Sequence, residues 1–224
     1  FASLESVPET MAGFGEGLRR AAKPEQAAGD AEVFSGAEAL DAVAQDWRAI
    51  EREGAFATPF QSFAVAAAAL PAHLAHGHVP YIVAVHEYGE IRAILPLVLA
   101  TMAGNRVLRF LGDPLIQYGD AVLSRAGNEA HLVQALLAAG KLGADAALFR
   151  KVRKDAKLAG LLSRRAHVSN VEEAPYADLR RESGLPPRDM RELRRYRRRL
   201  AEQGEVKLHI TRGGEAIPPR ITSH

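Results

Sequence analysis

The sequence predicts a mixed α/β (α+β) domain whose sheet is mainly antiparallel and flanked by helices. Three observations predict it. Residues 79–120 hold three apolar, β-prone runs separated by two short turns, the pattern of a β-meander that exits into a polar loop. Segments before and after it, 36–53 and 129–142 among them, place apolar residues at helical spacing. Of 224 residues 47% are hydrophobic, enough to bury a sizeable core.

Residues 1–34 are rich in Ala, Gly, Glu and Pro with little periodicity, and are expected to be a disordered leader. Ser35, with Glu38 three residues on, matches a capping box. Leu40, Val43, Trp47 and Ile50 then follow at helical spacing, so a helix is expected over 36–53 with Trp47 as a core anchor. The stretch Thr58-Pro59-Phe60-Gln61-Ser62 opens a second, alanine-rich helix through 76, with Pro59 in its first turn and Pro71 kinking or restarting it.

The meander follows. Strands are expected over 81–86, 91–101 and 106–111, joined at Tyr88-Gly89 and Ala103-Gly104, with Pro96 marking a bulge or an edge. A short strand over 121–123, a helix over 129–142, a strand over 146–152 and a helix over 155–165 come next. Residues 167–174 and 176–179 read as irregular or as short strands. Pro186-Pro187 introduces a helix ended by Gly204, and a last strand is expected over 205–211.

Composition narrows the chemistry. There is no cysteine, so neither a disulfide framework nor a thiolate nucleophile exists, which fits a reducing, cytoplasmic setting. No long apolar run free of charge or proline predicts a membrane span. Residues 1–175 carry 17 Lys/Arg against 20 Asp/Glu, a net of −3, and residues 176–224 carry 12 against 7, a net of +5. The basic character is therefore concentrated in the C-terminal part.

Three constellations could carry function. In the loop 112–120, Asp113, Tyr118 and Asp120 leave the meander directly. Two carboxylates and a phenol on a rigid sheet can bind a polar substrate or relay a proton. Asp-Pro and Gly-Asp are equally ordinary turn chemistry. The three residues are expected to line a cleft beside the helix that starts at Phe60. In the basic helix, Met190, Leu193, Tyr196 and Leu200 form an apolar stripe. Arg191, Arg194, Arg195, Arg198 and Arg199 lie mostly off it. Such a face binds phosphates, or it is a solvated face whose arginines pair with Glu192 and Glu202. Without interleaved aromatics a nucleic-acid partner is disfavoured. In the third, His73, His76 and His78, two histidines three apart can share a metal. Glu87 and Glu90 fall in the following hairpin, however, and histidines at a helix C-terminus also suit the dipole. No metal is expected.

The order of these pieces resembles the CelD/BcsL-like acyltransferases of the GNAT superfamily, relatives of the FemAB-type proteins built from two GNAT-like halves. The matching text is Trp47 with Ile50 and Glu51, TPFQS at 58–62, ILPLVL at 94–99, RVLRFLG at 106–112, YGD at 118–120, and RRYRRRL at 194–200 with Gly204-Glu205-Val206. It covers residues 38–212. The resemblance implies transfer of an acyl group from acetyl-CoA or another acyl-CoA to an amine or hydroxyl on a small molecule or saccharide, in exopolysaccharide or cellulose synthesis. It implies a splayed sheet with pantetheine docked in the gap and its pyrophosphate held by backbone amides of a glycine-rich turn. From the residues themselves, Phe60, Gln61, Ser62, Tyr118 and Asp120 are the expected substrate-binding set, and Arg194, Arg195 and Arg198 the expected anion contact. The family's Gln/Arg-x-x-Gly-x-Gly/Ala cofactor turn is not found in these 224 residues. The expectation is therefore a GNAT-like half over 35–180, the start of a second half over 181–212, and an unstructured tail over 213–224. A non-catalytic GNAT-like binding module and a phosphate or nucleic-acid binder acting through the basic helix are the competing readings.

Overall fold

The structure is a computed structural model and describes residues 27–54, 58–173 and 187–205. The chain divides into two compact units, Phe1–Ser169 and Asn170–His224.

The first unit is a mixed α+β fold around one sheet. Its elements are β1 (Asp30–Ser35), α1 (Ala44–Arg52), α2 (Phe63–Ala75), β2 (Val79–Glu87), β3 (Glu90–Met102), β4 (Asn105–Phe110), β5 (Val122–Leu123), α3 (Glu129–Ala139), β6 (Ala146–Ala147) and α4 (Ala159–Arg165). The strands run in the order β1-β2-β3-β4-β6, and β5 also pairs with β3. All pairs are antiparallel except β4 with β6.

Both faces of the sheet are buried, and the alternation of strand side chains sorts them. Val83, Val85, Leu95 and Leu97 pack with Leu132 and Leu136 of α3 and Leu161 of α4. Ile82, Ala84, Ile94 and Val98 pack with Trp47 and Ile50 of α1 and Phe63 and Ala66 of α2. This is why β2 and β3 read as near-continuous apolar runs although they are antiparallel. Trp47 is the expected anchor. It is 1% exposed, its ring meets Phe63 edge-on at 5.9 Å, and its Nε1–H donates to the carbonyl of Gln61 at 3.0 Å.

The meander forms as expected. Tyr88-Gly89 and Ala103-Gly104 adopt left-handed pairs of φ, 53° with 78° and 47° with 82°, the signature of two-residue I′ turns. A non-glycine residue at such a φ costs about 1–2 kcal/mol. Ala103→Asn, which creates the favoured Asn-Gly pair, is expected to raise stability by about 0.5–1 kcal/mol in urea unfolding.

Five expectations are corrected. The leader does not extend to 34, because Asp30–Ser35 pairs with β2. This edge strand mixes single apolar residues with charges, so its alternation is weak. The Ser35–Glu38 capping box does not form. Ser35 ends β1, a 3-10 turn covers Asp41–Val43, and α1 begins at Ala44 without a side-chain cap. The capping box lies at α3 instead, where Asn128 and His131 satisfy each other's backbone. The second helix begins at Phe63 rather than Phe60, after a 3-10 turn over Pro59–Gln61, and runs unbroken through Pro71. Pro96 is neither a bulge nor an outer edge: it pairs with Ile82 inside the central strand, and the register shift falls at Val85/His86. Its carbonyl accepts from Leu111 N–H, so its missing N–H lies on that same side, where the neighbour changes from β5 to β4. Finally, β6 keeps only two residues of the expected 146–152 strand and α4 starts at Ala159.

The second unit contributes α5 (Pro187–Gln203). The expected tail over 213–224 and all but Glu205 of the last strand lie outside the described residues.

Candidate functional site

The loop after β4 is fixed at every few residues, mostly by partners distant in sequence. Gly112 N–H donates to His73 Nε2 at 3.0 Å. Asp113 Oδ2 accepts from Arg109 Nε at 2.8 Å and from Nη2 of the same guanidinium. Lys151 Nζ donates to the carbonyls of Pro114 and Ile116, both at 2.9 Å. Gln61 Nε2 donates to the carbonyl of Tyr118 at 2.9 Å. Asp120 Oδ1 accepts from the N–H groups of Ala121 at 2.9 Å and Leu158 at 3.0 Å, and Oδ2 from that of Lys157 at 2.7 Å.

The expected trio is therefore split. Tyr118 and Asp120 sit with Gln61 and Thr58 before the N-terminal end of α2, around a niche of about 10 Å³ that Arg153 also lines. Asp113 joins His73 near the other end of a 13-residue helix, roughly 15–20 Å away along the axis. Phe60 meets the Tyr118 ring edge-on at 5.9 Å, and the Arg153 guanidinium lies 5.2 Å from the same ring. Ser62 caps α2 by accepting from Val65 N–H. Glu51 also accepts from Phe63 N–H, so the TPFQS segment is held by α1 as well.

Chemically the niche is small and largely self-satisfied. Its volume is near the lower limit for one water molecule. Burial pushes the Asp120 carboxyl above its usual range, and the N–H donors of Lys157, Leu158 and Ala121 oppose that shift. A carboxylate bonded to three backbone N–H groups organises the chain rather than collecting a substrate proton. The Tyr118 hydroxyl makes no hydrogen bond among the described residues and is the niche's uncommitted polar group.

Sequence reasoning missed Lys151, Arg153 and the His73–His78 pair. Lys151 binds loop backbone 35–37 residues away, which has no local pattern. Arg153 has a local partner in Asp155, but that pair does not announce its place against the Tyr118 ring. The histidines were visible as a motif, but their partner Gly112 was not. Their Nδ1 atoms lie 3.0 Å apart. Because His73 Nε2 accepts from Gly112, the proton of the neutral ring is on Nδ1, which leaves no lone pair there for a metal. Among the described residues no three His, Asp or Glu gather as a metal set.

Another cleft, about 820 Å³, lies between the end of α1, the start of β3 and the turn after β5. Arg52, Arg92 and Arg125 line it with Glu53 and Glu90. Arg92 bonds Glu90 at 2.7 Å and lies 3.7 Å from Glu87. Arg125 holds the carboxylate and the carbonyl of Glu53. Three cations and two carboxylates line the cleft, and Arg92 and Arg125 are already engaged by Glu87, Glu90 and Glu53, so the lining is not organised around a ligand of one sign.

Taken by itself, α5 is amphipathic, with Met190, Leu193, Tyr196 and Leu200 exposed along one stripe. The anticipated pairing of its arginines with Glu192 and Glu202 is not seen. Among the described residues no carboxylate lies within ion-pair distance of Arg194, Arg195 or Arg198. The guanidinium of Arg195 lies 5.9 Å from the Tyr196 ring. No helix among the described residues is long and apolar enough to cross a membrane.

Comparison with protein-family models, with curated proteins and with solved structures gives no match for this chain.

Proposed function

We propose that this chain is the acceptor-side half of a GNAT-type N-acyltransferase, which moves an acyl group from acetyl-CoA or another acyl-CoA to an amine or hydroxyl of a small molecule or saccharide. One observation carries the reading. Pieces that resemble the CelD/BcsL-like enzymes but lie far apart in sequence are joined by hydrogen bonds, Trp47 to Gln61 and Gln61 to Tyr118. Two of these pieces, the TPFQS and YGD segments, line one niche at the exit of the meander. A role in exopolysaccharide or cellulose synthesis, and a cytoplasmic location where acyl-CoA is made, rest on the same resemblance.

The size of the niche and the three N–H donors on Asp120 favour a second reading, a non-catalytic GNAT-like module that binds a partner or saccharide. Incubation with acetyl-CoA and a panel of amino and hydroxyl sugars separates the two. Acceptor-dependent release of the CoA thiol is expected if this chain itself catalyses the transfer, which requires a donor site other than the Gln/Arg-x-x-Gly-x-Gly/Ala turn that is not found in its 224 residues. A donor bound 100-fold above its dissociation constant stabilises the fold by about 2.7 kcal/mol. No thiol release and no thermal shift at millimolar acetyl-CoA would overturn the catalytic reading for this chain and leave the binding module.

A further inference from the structure

The hydrogen bonds of His73 and His78 determine each other's protons. A neutral imidazole has one donor and one acceptor nitrogen. Gly112 N–H points at His73 Nε2 at 3.0 Å, so that nitrogen carries the lone pair and Nδ1 carries the hydrogen. The hydrogen faces His78 Nδ1 at 3.0 Å, which must be the acceptor, so the His78 proton is on Nε2. The turn that follows α2 makes this possible by bringing His78 N–H back to the His73 carbonyl at 3.0 Å. One directed chain of bonds thus runs from the loop backbone through both rings, and each ring must be neutral for it to exist.

We propose that His73 and His78 form a proton-operated latch. When neutral they tie the C-terminal end of α2 to the root of the loop 112–120, and protonation of either ring releases it. A proton added to His73 must go to Nε2, where it meets the Gly112 N–H. A proton added to His78 must go to Nδ1, where it meets the Nδ1–H of His73. Either event replaces a donor–acceptor contact with two opposed donors.

The surroundings set the threshold. His73 is 7% exposed. The groups facing it are His76 on its own helix, His78 on the following turn, Arg109 on β4 and Asp113 on the loop. Burial first, then His78, Arg109 and His76, resist a positive charge, and Asp113 favours one; together they bring His73 down to about 4. Burial, Arg109 and His76 lower His78 as well. Asp113, one of whose oxygens accepts from Arg109, is the one group here that favours the charge, and it does not outweigh burial, His78 and Arg109. Its other oxygen, Oδ1, is buried without a hydrogen-bond partner among the described residues, so the same loop holds an acceptor for a released imidazolium.

The sign follows from linkage. The unfolded chain protonates His73 near its ordinary 6.5 and the folded chain only near 4. The stabilisation is complete above 6.5 and is lost as the pH falls through that window, by about 300-fold in the folding constant for His73 alone. The latch is independent of the acyltransferase reading and needs no substrate to be tested.

The test is nitrogen NMR of the two imidazoles in the full chain, joined to urea unfolding from pH 8 to pH 4. At neutral pH His73 is expected as the Nδ1–H tautomer and His78 as the Nε2–H tautomer. The Gly112 amide resonance is expected to move at the acidic pH where His73 charges. His73→Gln, which cannot titrate, is expected to flatten the acid loss of stability by at least tenfold. The opposite tautomers, native titration of both rings near 6.5, or an unchanged acid slope in the variant would overturn the latch. So would stabilisation of the wild-type chain by added nickel that His73→Gln abolishes, since a metal would need the lone pair that the latch denies.

Discussion

Asp120→Ala is expected to cost about 3–4 kcal/mol of folding stability. The carboxylate is the acceptor for Ala121, Lys157 and Leu158, and each donor left unmade and shielded from water costs about 1–3 kcal/mol. The full sum is not reached, because removing a carboxyl that is only 6% exposed also removes its own burial cost. Asp120→Asn separates charge from shape. It keeps the volume but turns an NH₂ group toward one of these donors, so about 2 kcal/mol is expected. Chemical denaturation measures both, and hydrogen exchange at Lys157 and Leu158 reports the local consequence. A loss below 1 kcal/mol in the alanine variant would show that the residue is not needed for the fold. It would return Asp120 to the set of candidate catalytic groups.

Gly119→Ala is expected to cost about 3 kcal/mol for a different reason, overpacking. A β-carbon at this position would lie 2.2 Å from Phe110 Cδ2. That ring is 1% exposed and packed 4.8 Å from Phe149, so it has no open direction in which to retreat. The backbone of Gly119 is not left-handed, which leaves steric conflict as the sole cause. The prediction is therefore tested by a pair of substitutions. Phe110→Leu costs stability alone but should relieve part of the alanine's penalty, giving a favourable coupling of at least 1 kcal/mol in a double-mutant cycle. Additive losses would place the origin of the Gly119 effect elsewhere.

These two neighbours show how the site differs from its sequence pattern. The YGD triplet at 118–120 could be noticed because a glycine between an aromatic and an acid after a strand is a recognisable turn. Whether the glycine was needed for its conformation or its smallness, and whether the acid faced a substrate or a backbone, could not be read. Both answers depend on Phe110 and on residues 157–158. The helix starts failed in a related way. Ser35 and Glu38 have the right spacing for a capping box, yet the pairing of Ser35 with Tyr81 draws Ser35 into the sheet. Asn128, which does cap a helix, pairs with a histidine at the third position instead of the usual Glu or Gln.

By itself the sequence determined the class of the fold, because its controls are local. Alternating and continuous apolar runs impose strands, Tyr88-Gly89 and Ala103-Gly104 impose the hairpins, and helical spacing around Trp47 and Leu132 supplies the covering layers. It also singled out the loop 112–120 and the histidines at 73–78. The role of each side chain there was decided by tertiary structure alone. A carboxylate or an imidazole accepts from, and a side-chain amide donates to, whatever partner the fold presents, and here those partners lie up to 57 residues away. Hydrogen bonds of this kind have no period and no spacing, so no pattern along the chain can announce them.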